Sequence, residues 1–114
     1  MAGAVELGAL PSGVTRDALN IIVITLDTTR ADHLAPYGYG GVEAPVLDEL
    51  AGRGTLFEEC ASVTPLTLPS HSTIFTGMYP THHGVRVNGN TALGETQTTL
   101  AEVLSGRGYA CGAF

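Results

Sequence analysis

Asn20-Ile21-Ile22-Val23-Ile24-Thr25-Leu26-Asp27 is a β-branched, continuously apolar run that ends on an acid. Such a run is the signature of a strand buried on both faces, as in a parallel sheet with helices on each side. Asp27 then stands at the carboxyl end of a central strand, where open α/β folds place their ligands. A carboxylate in that position needs a cation or hydrogen-bond donors to offset its desolvation. Asp is also a good helix cap, so the same residue could serve the Thr28-Thr29-Arg30 segment that follows.

Outward from this strand, residues 30–34 read as a short helix ending before Pro36, and Tyr37-Gly38-Tyr39-Gly40-Gly41 as a turn-rich loop. Asp32 and His33 are read as structural, because adjacent side chains diverge on any regular element. Pro45 opens a helix with Val46, Leu47, Leu50 and Ala51 as its apolar stripe, and Gly54 ends it. Residues 55–61 read as a short strand with Leu56 and Phe57 in the core and Glu58 and Glu59 near an edge. Residues 96–106 form a third helix with Leu100, Val103 and Leu104 on its apolar face, and residues 109–114 begin another strand. Residues 1–19 are small and weakly patterned, and are expected to be a leader or linker. The alternation of strands and helices over residues 20–114 predicts an α/β fold with a largely parallel sheet.

Between these elements lies Val63-Thr64-Pro65-Leu66-Thr67-Leu68-Pro69-Ser70-His71-Ser72-Thr73, read as a loop delivering a hydroxyl to the start of a helix. Pro69 suits the first helical position, with Thr67 and Ser70 on either side of it. A helix N-terminus presents unpaired N–H groups and a partial positive charge, so it favours anions. Thr or Ser before Pro is equally a common helix start with no chemistry attached. Gly77 suits a left-handed C-cap. Residues 78–90 read as a loop with Asn88-Gly89 as a turn. His82 and His83 cannot both point one way, so one is a candidate buried hydrogen-bonding residue and a zinc pair is not expected.

Composition narrows the class. A formal charge of −6 with five Lys and Arg argues against a nucleic-acid surface. The longest apolar run, residues 21–26, is far too short to span a bilayer. The N-terminus lacks the basic-then-apolar order of a secretory signal, so the compartment stays open. Cys60 and Cys111 lack metal-type spacing and are read as buried small hydrophobes.

Three segments taken together, NIIVITLDTTRADHL from Asn20, PLTLPSHSTIFTG from Pro65 and MYPTHHGVRVNG from Met78, resemble the N-terminal part of the sulfatase branch of the alkaline-phosphatase superfamily. The resemblance covers roughly residues 20–114 and implies the N-terminal part of an alkaline-phosphatase-like three-layer sandwich, truncated, with its C-terminal part missing. It implies a metal-dependent hydrolase or transferase acting on a small anionic ester of sulfate, phosphate or phosphonate. By the resemblance Asp27 is a metal ligand, Thr67 takes the nucleophile and metal-binding position, and Asn88 contacts the substrate anion. His71 stands where the family motif has arginine and is assigned to the substrate.

Sulfatases of the family oxidise a Cys or Ser to formylglycine. Thr67 carries a methyl on its β-carbon and cannot become that aldehyde, so no formylglycine is expected and the chemistry looks closer to the superfamily's threonine phospho-transfer enzymes. Thr28 replaces a second metal-binding aspartate, which disfavours calcium among the candidate ions zinc, manganese, magnesium and calcium. With Asp27 and Thr67 as its only ligands the 114-residue chain is expected to be inactive alone. The alternative is a non-catalytic relative that keeps the fold for binding.

Overall fold

The computed structural model describes residues 19–114. The leader expected over residues 1–19 therefore lies, apart from Leu19, outside the described residues. Two 3-10 turns come first, Ala31–His33 and Ala35–Tyr37. Four helices follow: α1, Pro45–Arg53; α2, Thr67–Thr76; α3, Pro80–His83; and α4, Leu100–Ser105. No helix among the described residues is long and apolar enough to cross a membrane.

α2 is the centre of the packing, with α3 and α4 against it, while α1 packs on the second 3-10 turn. Its sequence, TLPSHSTIFT, is poor in strong helix formers. The helix is held partly by its own polar side chains. Ser72 Oγ donates to the Leu68 carbonyl at 2.8 Å and Thr76 Oγ1 to the Ser72 carbonyl at 2.6 Å. Gly77 then turns the chain at φ +70° and donates its N–H to the Thr73 carbonyl. The expected C-cap is thus present. Pro69, however, is the third residue of the helix, not the first, because α2 begins at Thr67. The third position tolerates proline for the reason the first does: its N–H would have no intrahelical acceptor there.

The small core sits where α2 meets α3 and the chain beyond it, with Pro69 and Val85 almost fully buried. His83 is 4 % exposed and makes two hydrogen bonds. Its Nδ1 accepts from the Val85 N–H at 3.1 Å, which leaves Nε2 to carry the hydrogen toward Thr73 Oγ1, also at 3.1 Å. This is the buried histidine that the His82-His83 pair led us to expect; His82 is exposed. α4 begins at a capping box, in which Thr99 Oγ1 accepts from the Glu102 N–H while the Glu102 carboxylate accepts from the Thr99 N–H. The Thr99 N–H, and after it the Thr99 hydroxyl, which donates to the same carboxylate at 2.7 Å, hold the Glu102 carboxyl below its ordinary value.

The sheet expected from the sequence is not formed: no strand occurs among the described residues. Residues 21–25 and 109–114 instead line one apolar groove of about 800 Å³ with Phe75, Leu100 and Leu104. The groove-side helices cover one face only, so Ile22 is 81 % and Ile24 74 % exposed while Ile21 and Val23 are near half. A parallel strand is defined by hydrogen bonds from its neighbours, and none of the described segments supplies a ladder. The short strand expected over residues 55–61 is absent for the same reason, and Phe57 is exposed rather than core. On α1, Leu47 and Ala51 are half-buried but Val46 and Leu50 are exposed. Cys60 and Cys111 are free and exposed, contrary to the burial inferred from their apolar neighbours.

Gly77→Ala tests the cap that ends α2. A Cβ there meets nothing within 4 Å, so the cost is that of the left-handed backbone alone. Urea denaturation should show a loss of about 1–2 kcal/mol.

Candidate active site at the first turn of α2

The extended segment that carries Asp27 ends in a sharp turn. Thr28 adopts φ +54°, an outlier for a β-branched residue, and its N–H donates to Asp27 Oδ1 at 3.0 Å. Strain of this kind costs about 1–3 kcal/mol and gathers at functional sites. Across the gap stands Thr67, the first residue of α2. Its Oγ1 donates to both oxygens of the Asp27 carboxylate, at 3.2 and 3.3 Å. Both distances are long for an O–H···O bond, as a hydrogen shared between two acceptors should be. The two residues are 40 apart in sequence, so this contact is tertiary.

Asn88 reaches the same helix turn from the loop after α3. Its Oδ1 accepts from the Leu68 N–H at 2.9 Å. That bond fixes the orientation of the amide and leaves the NH₂ as its outward donor. Pro69 has no N–H, and the Ser70 N–H is taken by the Leu66 carbonyl. The first turn of α2 is therefore less open to an anion than its sequence suggested: among the described residues, the Thr67 N–H is its remaining donor.

His71 is turned inward, along the helix and back to the Asp27 segment. Its Nδ1 lies 2.8 Å from the Thr67 carbonyl oxygen and its Nε2 lies 3.2 Å from Thr25 Oγ1. Thr25 was hidden in the sequence by the apolar run around it. The available signal was parity: residues i and i+2 of an extended chain share a face, so the one hydroxyl inside that run lies on the side of Asp27.

Asp27, Thr67 and His71 line a pocket of about 470 Å³ with Thr25, Thr28 and Arg30 on its walls. Asn88 is not in that lining and reaches the site only through Leu68. Arg30 is committed elsewhere, with its guanidinium on Asp32 at 2.6 and 2.9 Å. This pairing, with His33 on the other side, holds the Asp32 carboxyl far below the usual carboxylate range. Asp32 and Arg30 thus form an exposed ion pair, with His33 hydrogen-bonded to the same carboxylate. For a metal, the donor set facing the pocket is the Asp27 carboxylate and the Thr67 hydroxyl. Hard oxygens of this kind suit magnesium, manganese or calcium. Two side chains are a partial set, and no group of three His, Cys, Asp or Glu residues among the described residues could hold an ion.

Comparison with known proteins places this geometry in context. The sulfatase family model matches residues 19–114. The steryl-sulfatase of Mus musculus is 30 % identical in an alignment of 110 residues that covers 88 % of this chain and 18 % of that protein. The ulvan-active sulfatase of Formosa agariphila is 33 % identical over 90 residues, 79 % of this chain and 17 % of that protein. An arylsulfatase of Clostridium perfringens is 34 % identical over 91 residues, 79 % of this chain and 19 % of that protein. The chain thus spans about a fifth of the length of the curated relatives it matches. No solved structure matches it. Membership implies an alkaline-phosphatase-like α/β fold, whose sheet the described residues do not form; the chain belongs to the sulfatase family.

Proposed function

We propose that this chain is the N-terminal portion of a metal-dependent hydrolase or transferase of sulfate, phosphate or phosphonate esters, with Thr67 as its nucleophile. The observation that supports it is the approach of Thr67 Oγ1 to both oxygens of Asp27, two residues that the fold alone brings together. Asp27 holds the hydroxyl hydrogen at the atom from which a proton leaves when Oγ1 bonds to sulfur or phosphorus. The Asp27 carboxylate and the Thr67 hydroxyl would contribute to holding a divalent ion, whose Lewis acidity would lower the cost of the alkoxide. The Thr67 N–H is the donor at the pocket available to charge building on the ester oxygens, and the family resemblance assigns the Asn88 NH₂ to the same anion. As the new bond forms the leaving alcohol departs, and water or an acceptor alcohol then releases the threonine ester.

The relatives are named as sulfatases, which favours sulfate esters. The identity of residue 67 favours a direct oxygen nucleophile: oxidation of threonine would give a ketone, not the aldehyde of formylglycine. Mass spectrometry of the peptide containing Thr67 should therefore find an unmodified threonine.

In the complete protein, Thr67→Ala should lower turnover of aryl sulfate or phosphodiester substrates by about three or more powers of ten. Thr67→Ser should keep a substantial part of it. The 114-residue chain alone, supplied with magnesium, manganese, calcium or zinc, should show no turnover. At Asn88 the two roles separate. Asn88→Ala removes the acceptor for the Leu68 N–H and should cost about 1 kcal/mol in urea denaturation. Asn88→Asp keeps that acceptor and should hold stability, but it puts a carboxylate oxygen where the NH₂ faced the anion and should raise KM.

A further inference from the structure

We propose that His71 is a positioning residue, one that sets the separation of Thr67 and Asp27 by clamping α2 to the Asp27 segment through Thr25. The inference rests on the reading of Thr67 as nucleophile and replaces the anion-binding role that the sequence motif assigns to His71.

The tautomer follows from the partners. The Thr67 carbonyl oxygen can only accept, so Nδ1, 2.8 Å away, carries the ring hydrogen. In the neutral ring Nε2 is then a bare acceptor, and the group facing it at 3.2 Å is the Thr25 hydroxyl, which donates. Both nitrogens are thereby used inside the protein, and the neutral imidazole has no N–H left for a substrate anion. The ring is half-buried, as a bridge between two segments should be.

The attachment points give the bridge its effect. Thr25 lies two residues before Asp27, on the same face of an extended segment. Thr67 lies four residues before His71, on the same face of α2. The imidazole therefore joins the backbone of one reacting residue to the near neighbour of the other, beside the direct contact of Thr67 Oγ1 with Asp27. Arginine, the residue of the family motif, has no acceptor nitrogen and could not receive the Thr25 hydroxyl.

The test uses the complete protein. Thr25→Val removes the hydroxyl at nearly constant shape and should lower kcat about 10- to 100-fold with KM little changed. Thr25→Ser should restore kcat. In a His71→Phe background Thr25→Val should add no further loss, since the clamp is already open. Histidine-selective ¹⁵N NMR, with the His71 signals assigned by their loss in His71→Phe, should show Nδ1 protonated and Nε2 bare, and Thr25→Val should shift the Nε2 signal. A raised KM in His71→Phe with normal kinetics in Thr25→Val would place the ring on the substrate and overturn the proposal. So would a ring protonated at Nε2 and bare at Nδ1. Undiminished turnover in Thr67→Ala would instead remove the nucleophile reading, and the tautomer measurement decides the clamp in that event too.

Discussion

A single shared hydrogen, that of Thr67 Oγ1 between the two oxygens of Asp27, is the constraint to which the rest of the site answers. Neither residue reaches the other without help. The Asp27 segment turns at the strained Thr28, whose N–H also steadies the carboxylate. The Thr67 side is set by the first turn of α2, whose Leu68 N–H is held by Asn88. These are local devices, and each uses a polar group already required by chain geometry: an amide after an acid, or a helix-start N–H. The bonds are exposed and individually worth little. Their joint effect is to leave few orientations for the hydroxyl.

α2 can serve this role because it does not depend on burial alone for its coherence. Ser72, Thr76 and His71 each return a hydrogen bond to a carbonyl four residues back. Ser and Thr normally compete with helical hydrogen bonding, but here Ser72 and Thr76 bond within the helix, while Thr73 meets His83. His71 and His83 sit in opposite tautomers, each set by a backbone group that has only one hydrogen-bonding sense. One histidine ties the helix to the segment before Asp27 and the other to the loop that leads to Asn88. The site residues thus inherit their positions from a polar helix pinned at both flanks.

What the sequence made legible is what local chemistry controls. Gly77 as a left-handed cap, Pro45 at a helix start and the divergence of His82 from His83 all follow from constraints within a few residues. The pairing of Asp27 with Thr67 was legible for another reason, the family pattern that spans both. The failures are non-local. Residues 21–26 have every property of a central strand, yet a strand exists only where neighbours pair with it, and apolar content says nothing of whether they do. Phe57, Cys60 and Cys111 were assigned to a core on the same incomplete grounds. Pro69 was misplaced by two positions because proline is tolerated at any of the first helical positions lacking an intrahelical bond. At position 71 the family motif has arginine, and a histidine, which can accept as well as donate, has other partners open to it, here the Thr67 carbonyl and the Thr25 hydroxyl.

That last difference bears on how the family framework can change its chemistry. An aldehyde hydrate brings its own two hydroxyls to the reacting centre, one to attack and one to collapse the intermediate. A threonine brings one hydroxyl, and its ester must be released by an outside oxygen. The burden of orientation then falls on the protein, which must hold a lone Oγ1 toward its acceptor. Threonine's β-methyl restricts χ1, and the carboxylate of Asp27 draws the hydroxyl the same way. Under the proposed function, an imidazole in place of a guanidinium at position 71 would withdraw one cation from the substrate and spend the side chain on holding the start of α2 to the Asp27 segment. Under that same proposal, the two departures from the sulfatase motif, Thr67 and His71, would be one change: the loss of a self-sufficient nucleophile met by a tighter hold on a simpler one.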